Sequence, residues 1–156
     1  MKRFRNLFVT FCMIITMLTP VAVFADGNNV QSGAIQPRSD LSKTVTDREK
    51  NRYSVSAHSS RNGKNAIVST SFRVSYYYSG TPSDKSRIDA YKKNLSVNAQ
   101  VALQGGGGNT LSGSAEKTGA TNSYSRAGTY LYSVSAVSAT HGFSCNGGST
   151  SIPTSA

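Results

Sequence analysis

The chain has 156 residues and a net charge of +10 at neutral pH, with 37% hydrophobic residues, no tryptophan and two cysteines. This length suits one domain, and two cysteines are too few for a disulfide-stapled scaffold. No apolar run reaches the roughly 20 residues that a membrane-spanning helix needs.

The first 25 residues have the three parts of a secretory signal peptide of a kind common in bacteria. Three basic residues precede an apolar run over 7–18, and Val23-Phe24-Ala25 places small residues at the −3 and −1 positions. We expect cleavage after Ala25 and a secreted protein. An uncleaved membrane anchor is the alternative, for which the run of twelve residues is short.

Cleavage would change the totals of the chain. Three of the 17 lysines and arginines lie in the first 25 residues and none of the 7 acidic residues does, so the remaining 131 residues carry a net charge of +7. Cys12 also leaves with the signal. Cys145 then has no partner for an intramolecular disulfide.

Residues 26–50 contain few large apolar side chains and no sustained periodicity. Glycine, asparagine and proline interrupt any regular element there. We therefore expect a flexible leader or linker over 26–50, followed by a single β-sandwich domain over 51–156.

A β-hairpin is predicted over 52–78, with Tyr76 and Tyr78 expected on the inner face of its second strand. Alternating apolar and small polar residues flank Asn62-Gly63, a strong signal for a two-residue turn. With that pair at the centre of the turn, the apolar residues of both strands share one face. The same register sets Arg52 opposite Arg73 on the outward face.

Alternation predicts further strands over 95–104, 110–116 and 128–141, the last one bulged, and a short terminal strand after Asn146-Gly147. Residues 84–93 fit either a short helix or an exposed connection. About 5–7 strands with glycine-rich turns and almost no helix predict an all-β fold. We expect a small antiparallel β-sandwich or a partly open barrel.

The pentapeptide Tyr-Ser-Val-Ser-Ala occurs twice, at 53–57 and at 132–136. Both copies lie in alternating stretches, so we expect both to mark core strands. Because the chain is rich in serine, chance recurrence explains the repeat better than duplication of a half-domain does.

No set of residues forms a complete catalytic or metal-binding constellation. His141 and Cys145 would share one face of a strand about 13 Å apart, at roughly 3.3 Å per residue, which is too far for a thiol–imidazole dyad. We expect a free thiol, half-buried or exposed, beside a surface histidine. Its oxidation to an intermolecular disulfide would give a dimer. One cysteine and two distant histidines do not make a zinc site, and no catalytic residue, metal or cofactor is predicted.

The basic balance is the main indication of a partner. Three cations at 48, 50 and 52 precede Tyr53, Tyr76–Tyr78 form an aromatic run, and further lysines and arginines surround Tyr91. Cations with interleaved aromatic rings suit an anionic polymer. The predicted ligand-binding residues are Arg52, Arg73, Tyr77, Lys92 and Lys93. A purely solubilising role of the charge is the alternative.

Arg52 and Arg73 are the most informative pair in this set. Like charges that face each other across a strand pair cost stability unless an anion lies between them. An anion contact at these two arginines is therefore a hypothesis that follows from the predicted register.

These observations favour a secreted, non-enzymatic protein that binds anionic extracellular or cell-surface polymers, such as wall polymers or acidic glycans. A small secreted toxin or antimicrobial protein acting on anionic membranes is the main alternative. A basic secreted nuclease built from Glu116, His141 or His58, and Arg73 is less favoured, because no spacing supports it. No specific nucleic acid is predicted as a partner.

Overall fold

The computed structural model describes residues 38–156. The expected signal peptide and residues 26–37 of the expected leader lie outside the described residues. The elements in chain order are β1 (Arg38–Thr46), β2 (Arg52–Asn62), β3 (Asn65–Tyr76), α1 (Pro82–Ala90), β4 (Lys93–Leu103), β5 (Gly108–Lys117), β6 (Thr121–Thr129), β7 (Val134–Cys145) and β8 (Gly148–Ser155).

The strands form two four-stranded antiparallel sheets. The first sheet has the order β1-β2-β3-β6 and the second has the order β5-β4-β7-β8. Buried and exposed residues alternate along the central strands of both sheets, so each sheet turns one apolar face to the other. The predicted all-β antiparallel sandwich is confirmed, with eight strands where about 5–7 were expected.

The first additional strand lies in the expected leader. β1 pairs with β2 over its whole length, from Arg38 opposite Ser60 to Thr46 opposite Arg52. The expected boundary at residue 51 is therefore wrong, because residues 38–50 belong to the sandwich. Only Val45 among the β1 residues is buried. An edge strand held mainly by its backbone ladder carries little apolar periodicity for a sequence pattern to reveal.

The turn of the β2–β3 hairpin has Gly63-Lys64 at its centre, whereas the predicted centre was Asn62-Gly63. Gly63 has φ +54°, as the first central position of a type II′ turn requires. Tyr53 consequently pairs with Val74, two residues beyond its predicted partner. A shift by two residues leaves every side chain on its expected face, so the hydrophobic pattern does not distinguish the two registers.

The strand expected over 128–141 is two strands. β6 belongs to the first sheet and β7 to the second, so the chain must cross between sheets at residues 130–133. Tyr132 lies in this crossing with 58% of its surface exposed, whereas Tyr53 is completely buried. The pentapeptide thus marks a core strand in its first copy, and the same expectation for the second copy is wrong at Tyr132.

The structure confirms one local signal and resolves a second, which the sequence left open. Asn146-Gly147 joins β7 to β8 with both residues at positive φ, the geometry of a type I′ turn. The ambiguous segment at 84–93 is largely helical. Thr81 caps α1 by accepting a hydrogen bond from the backbone N–H of Asp84, and Pro82 occupies the first turn.

The core consists of two apolar clusters. One contains Val45, Tyr53, Val55, Ala57, Phe72, Val74, Leu95, Phe143, Cys145 and Ile152. The other contains Ala66, Val68, Val97, Ala99, Val101, Val134, Val137 and Ala139. Along β3 and β7 the change from one cluster to the other occurs at a buried polar residue, Thr70 and His141 respectively.

These two residues, with Ser59 and Thr154, form a hydrogen-bonded polar layer between the sheets. His141 Nδ1 lies 3.0 Å from Thr70 Oγ1, and the same hydroxyl donates to the carbonyl of Ser96. Thr70 must therefore accept from Nδ1–H, which leaves Nε2 as an acceptor. Thr154 Oγ1 lies 2.8 Å from Nε2, and Ser59 bonds Thr154 in turn. The neutral imidazole satisfies the whole layer.

Burial in this layer lowers the pKa of His141 below its ordinary value of 6.5. The unfolded chain then binds a proton at pH values where the native state does not, so native stability rises with pH across that window. We predict that the free energy of unfolding decreases as the pH falls below about 6.5. Urea denaturation between pH 5 and pH 8 measures this.

His58→Gln is the matched control for that measurement, because it leaves His141 as the sole histidine of the chain. The decrease should persist in this variant. A free energy of unfolding that stays constant from pH 7 to pH 5 in His58→Gln would contradict the prediction.

Candidate functional site

The connection between β1 and β2 is held by the buried side chain of Asp47. Its carboxylate accepts hydrogen bonds from the backbone N–H groups of Glu49 and Asn51, each at 2.9 Å, and from the Tyr53 hydroxyl at 3.0 Å. Lys50 has a left-handed backbone with φ +64° within this bend. The bend is rigid because its polar groups are satisfied by a side chain that the core holds in place.

The same bend fixes the segment that follows β3. Asn51 Oδ1 accepts a hydrogen bond from the backbone N–H of Tyr78 at 3.0 Å. This contact places the Tyr78 ring 5.0 Å from Lys50 Nζ, and the Tyr76 ring lies 5.5 Å from the Arg52 guanidinium. The Tyr78 and Tyr76 rings are about half exposed, at 57% and 46%, so the expectation that both lie on the inner face of the strand is wrong. Two exposed cation–π pairs therefore lie at the same end of the sandwich, where β2 begins and β3 ends.

We call this surface the basic–tyrosine end and define it as Arg48, Lys50, Arg52, Tyr76 and Tyr78. Part of it lines a pocket of about 310 Å³, whose walls are Arg48, Glu49, Lys50, Asn51, Tyr78, Ser79, Arg87 and Ile88. The pocket brings three cations and one tyrosine ring together with one carboxylate.

The charges in this pocket are unequally compensated. Arg87 forms ion pairs with Glu49 at 2.8 Å and with Asp84 at 3.2 Å. Hydrogen bonds from Arg87 and then Tyr91 hold the pKa of Glu49 below its ordinary value, so this acid stays ionised. Arg48 and Lys50 form no ion pair with any acidic residue of the 38–156 segment. The surplus positive charge of the pocket thus resides on Arg48 and Lys50.

The structure separates Arg52 from Arg73, which the predicted register placed face to face. Arg52 pairs with Tyr76 after an irregularity in the ladder, and Arg73 pairs with Ser54. The like-charge opposition is therefore wrong, and so is the reason for an anion between the two residues. Arg73 is exposed on the outward face of β3, and Arg52 belongs to the basic–tyrosine end.

The other three predicted ligand residues have partners of their own. The Tyr77 hydroxyl donates to Asp89 Oδ1 at 2.6 Å, and partial burial raises the pKa of Tyr77 to about 12. Lys92 forms an ion pair with Glu116 at 2.9 Å. Lys93 is completely buried, so its predicted role as a surface ligand is wrong.

Lys93 instead completes the end of the helix. Its ammonium group donates to the carbonyls of Ile88 at 2.6 Å and Asp89 at 2.9 Å, in the last turn of α1. The backbone N–H groups of Tyr91 and Gly119 also bond these carbonyls, so the ammonium group is a second donor to each. A cation is favoured at this end of a helix. Desolvation lowers the pKa of Lys93 below its ordinary value.

The residue types considered for catalysis at the sequence level do not converge. His141 is buried, not on the surface, and is part of the polar layer. Cys145 is also buried, not half-buried or exposed, and its thiol donates to the Tyr53 hydroxyl at 3.4 Å. Glu116 pairs with Lys92 on the surface, and His58 lies on the outer face of the first sheet. These positions do not assemble the residue set considered for a nuclease.

No protein-family model matches the chain, and comparison with curated protein sequences yields no match. Within residues 38–156, no helix is long and apolar enough to span a membrane. The same segment contains no group of three or more His, Cys, Asp or Glu residues that could hold a metal ion. The functional argument therefore depends on the geometry of this molecule alone.

Four residues of the basic–tyrosine end were not among the predicted ligand residues: Arg48, Lys50, Tyr76 and Tyr78. The cations that alternate at 48, 50 and 52 and the Tyr76–Tyr78 run were both visible in the sequence. Their proximity was not, because it depends on the Asp47 bend and on the hydrogen bond between Asn51 and Tyr78.

We predict that the thiol of Cys145 does not react in the native protein. Burial raises its pKa, so the reactive thiolate is scarce and solvent does not reach the sulfur. An intermolecular disulfide would then require local unfolding first. Alkylation followed by peptide mapping should find Cys145 unmodified in buffer and fully modified in urea. Rapid modification in buffer would refute this prediction.

We also predict that Lys93→Met destabilises the protein without weakening its attachment to an anionic polymer. The substitution removes two charge-assisted hydrogen bonds from the ammonium group to the helix-end carbonyls, at a cost of about 1–3 kcal/mol, although a backbone N–H still donates to each carbonyl. The exposed neighbour offers a matched control, since Lys92→Met should change stability by less than about 0.5 kcal/mol. Urea denaturation and heparin affinity chromatography give the two readouts. If Lys93→Met is retained less on heparin while its stability is unchanged, the prediction is wrong and Lys93 contributes to polymer binding.

Proposed function

We propose that this protein is secreted and binds anionic polymers outside the cell through its basic–tyrosine end. The observation that carries the proposal is the pair of exposed cation–tyrosine contacts, Lys50 with Tyr78 and Arg52 with Tyr76, next to a pocket with unpaired positive charge. The ligand class is an extracellular or cell-surface polymer with repeating negative groups.

The arrangement suits a polymer better than it suits a single small anion. Exposed cations each contribute little to binding at physiological salt, because solvent and ions screen them. A chain with repeating charges contacts several of them at once, and its segments bind with a high effective concentration. The tyrosine rings add contact area whose strength does not depend on salt.

The structure offers less support for insertion into an anionic membrane. An interfacial helix needs a wide apolar face and a strongly basic opposite face. α1 has nine residues, its one large apolar residue, Ile88, is buried, and Asp84 and Asp89 lie within it. We therefore favour binding of an anionic polymer over insertion into a membrane.

We predict that Lys50→Ser combined with Arg52→Ser weakens retention on a heparin column, so that the protein elutes at lower salt than the wild type. Lys64→Ser combined with Arg126→Ser removes the same charge towards the opposite end of the first sheet, near the β2–β3 turn, and should change the elution much less. Tyr78→Ser, which removes no charge, should also weaken retention, by about 0.5–1 kcal/mol for an exposed cation–π contact.

If the two double variants lose heparin retention equally, only net charge determines retention, and the proposed site is wrong. Leakage from vesicles of anionic lipid, at concentrations where heparin retention is weak, would favour the membrane-active alternative. Wild-type protein that passes through the heparin column unretained at low salt would reject the proposed function itself.

A further inference from the structure

Three chemically complementary side chains form a chain of hydrogen bonds on the outer face of the first sheet. His58 Nδ1 lies 2.7 Å from Asp40 Oδ1, and His58 Nε2 lies 3.1 Å from Ser60 Oγ. Asp40 faces His58 directly across the β1–β2 ladder, and Ser60 is two residues further along β2 on the same face. The pairing of β1 with β2 thus creates the arrangement.

The protonation pattern of this chain follows from the donors and acceptors. An ionised carboxylate only accepts hydrogen bonds, so His58 Nδ1 carries the proton that is shared with Asp40. In the neutral imidazole, Nε2 then presents its lone pair to Ser60, whose hydroxyl donates to it. A hydrogen bond from Arg38 and further contacts with His58 keep the pKa of Asp40 below its ordinary value. This tautomer makes the imidazole a base directed at a hydroxyl.

We propose that Ser60 and His58, positioned by Asp40, form a hydrolytic site for short acyl esters of polyhydroxylated alcohols. Ser60 is the nucleophile and His58 is the general base and acid. Asp40 acts through His58 by fixing its tautomer and orientation. This proposal departs from the expectation of a non-enzymatic protein and is independent of the basic–tyrosine end.

The substrate class follows from the adjoining groove. A groove of about 470 Å³ runs beside Asp40 and His58, and its lining residues are Arg38, Asp40, Leu41, Ser42, Ser56, Ala57, His58, Ser69 and Ser71. Four serine hydroxyls suit a leaving group that itself carries many hydroxyls. Leu41 is the accessible apolar residue of this lining, because Ala57 is buried in the core, and this small apolar surface suits a short acyl group and not a long one.

The reaction proceeds in two balanced halves. Ser60 Oγ attacks the acyl carbon while its proton moves to His58 Nε2; the ester C–O bond then breaks, and the departing alcohol takes that proton. Water next attacks the acyl-serine and gives a proton to Nε2. The acyl–Oγ bond breaks, Ser60 recovers its proton, and a carboxylic acid leaves. One ester and one water yield one alcohol and one acid.

The stabilisation of the developing oxyanion determines which acyl substrates this site can cleave, from reactive esters to less reactive peptides. β2 is flanked by β1 and β3, so its backbone N–H groups are engaged in the two ladders. We assign the oxyanion to Arg38, which lies opposite Ser60 and whose Nε donates to Asp40 at 2.5 Å. A single cationic donor replaces the usual pair of backbone donors, and such donors contribute about 10²–10³ each in rate. We therefore expect slow turnover of esters and no cleavage of peptides.

A fluorophosphonate probe tests the nucleophile directly, because it modifies serines that are activated by a neighbouring base. We expect one adduct, located at Ser60 by peptide mapping, and its loss in His58→Gln. Ser54→Ala is the matched control, since Ser54 lies on the same strand and face but pairs with Thr44 and Arg73, away from the imidazole of His58. That variant should be labelled like the wild type.

Hydrolysis of p-nitrophenyl acetate and of a per-acetylated monosaccharide gives the second readout. Ser60→Ala and His58→Gln should each lower kcat/KM at least about tenfold. Asp40→Asn should lower kcat more than it raises KM, as a positioning role requires. Circular dichroism and thermal melting verify that each variant is folded, which the location of all three side chains outside the core favours.

Three results would overturn the proposal: no adduct at Ser60, equal labelling of several serines, or ester hydrolysis by Ser60→Ala at the wild-type rate. Heparin retention of Ser60→Ala should equal that of the wild type. The hydrolytic site and the polymer-binding end can therefore fail separately.

Discussion

The polar layer formed by Ser59, Thr70, His141 and Thr154 is the constraint on which the packing of the two sheets depends. Two of its members come from the first sheet and two from the second, and each hydrogen bond is satisfied at one relative position of the sheets. An apolar core of valine and alanine would tolerate sliding by a residue pair, because its contacts are not directional. A buried imidazole without its partners would cost several times more than a lost methyl contact. The layer thereby selects one alignment of a slender core.

The small side chains of the core are matched by small polar side chains on the surface. Strands that bury valine, tyrosine and alanine on one side carry serine, threonine and asparagine on the other, so both outer faces of the sandwich are rich in hydroxyl groups. Specific chemistry arises where the backbone brings charged residues into these hydroxyl-rich surroundings. Asp40 reaches His58 through an edge strand, and Lys50 reaches Tyr78 through the bend at Asp47. Both sites depend on residues 38–50, the part of the domain with the weakest sequence pattern.

Sequence periodicity was informative where burial is strong. The inward faces of β2, β3 and β4 and the turn at Asn146-Gly147 were predictable, because each follows from a two-residue period or from a turn with a defined backbone geometry. The register of the first hairpin was less predictable, because a shift of the strand pairing by two residues satisfies the same hydrophobic pattern. The crossing at 130–133 was missed because Tyr130 and Tyr132 continue the alternation of apolar and polar residues, although Tyr132 is exposed.

The amino-acid sequence by itself determined the β class, the inward faces of the central strands and the positive charge, because these depend on local alternation and on composition. The tertiary structure decided which cations are free: Lys93 is buried at the end of a helix, Lys92 is paired, and Lys50 stands exposed over a tyrosine ring. It also decided that Asp40, His58 and Ser60 meet. Asp40 and His58 are 18 positions apart in the sequence and are brought together by the β1–β2 ladder of backbone hydrogen bonds, which every residue except proline can form. Their pairing therefore leaves little trace in the identity of the side chains.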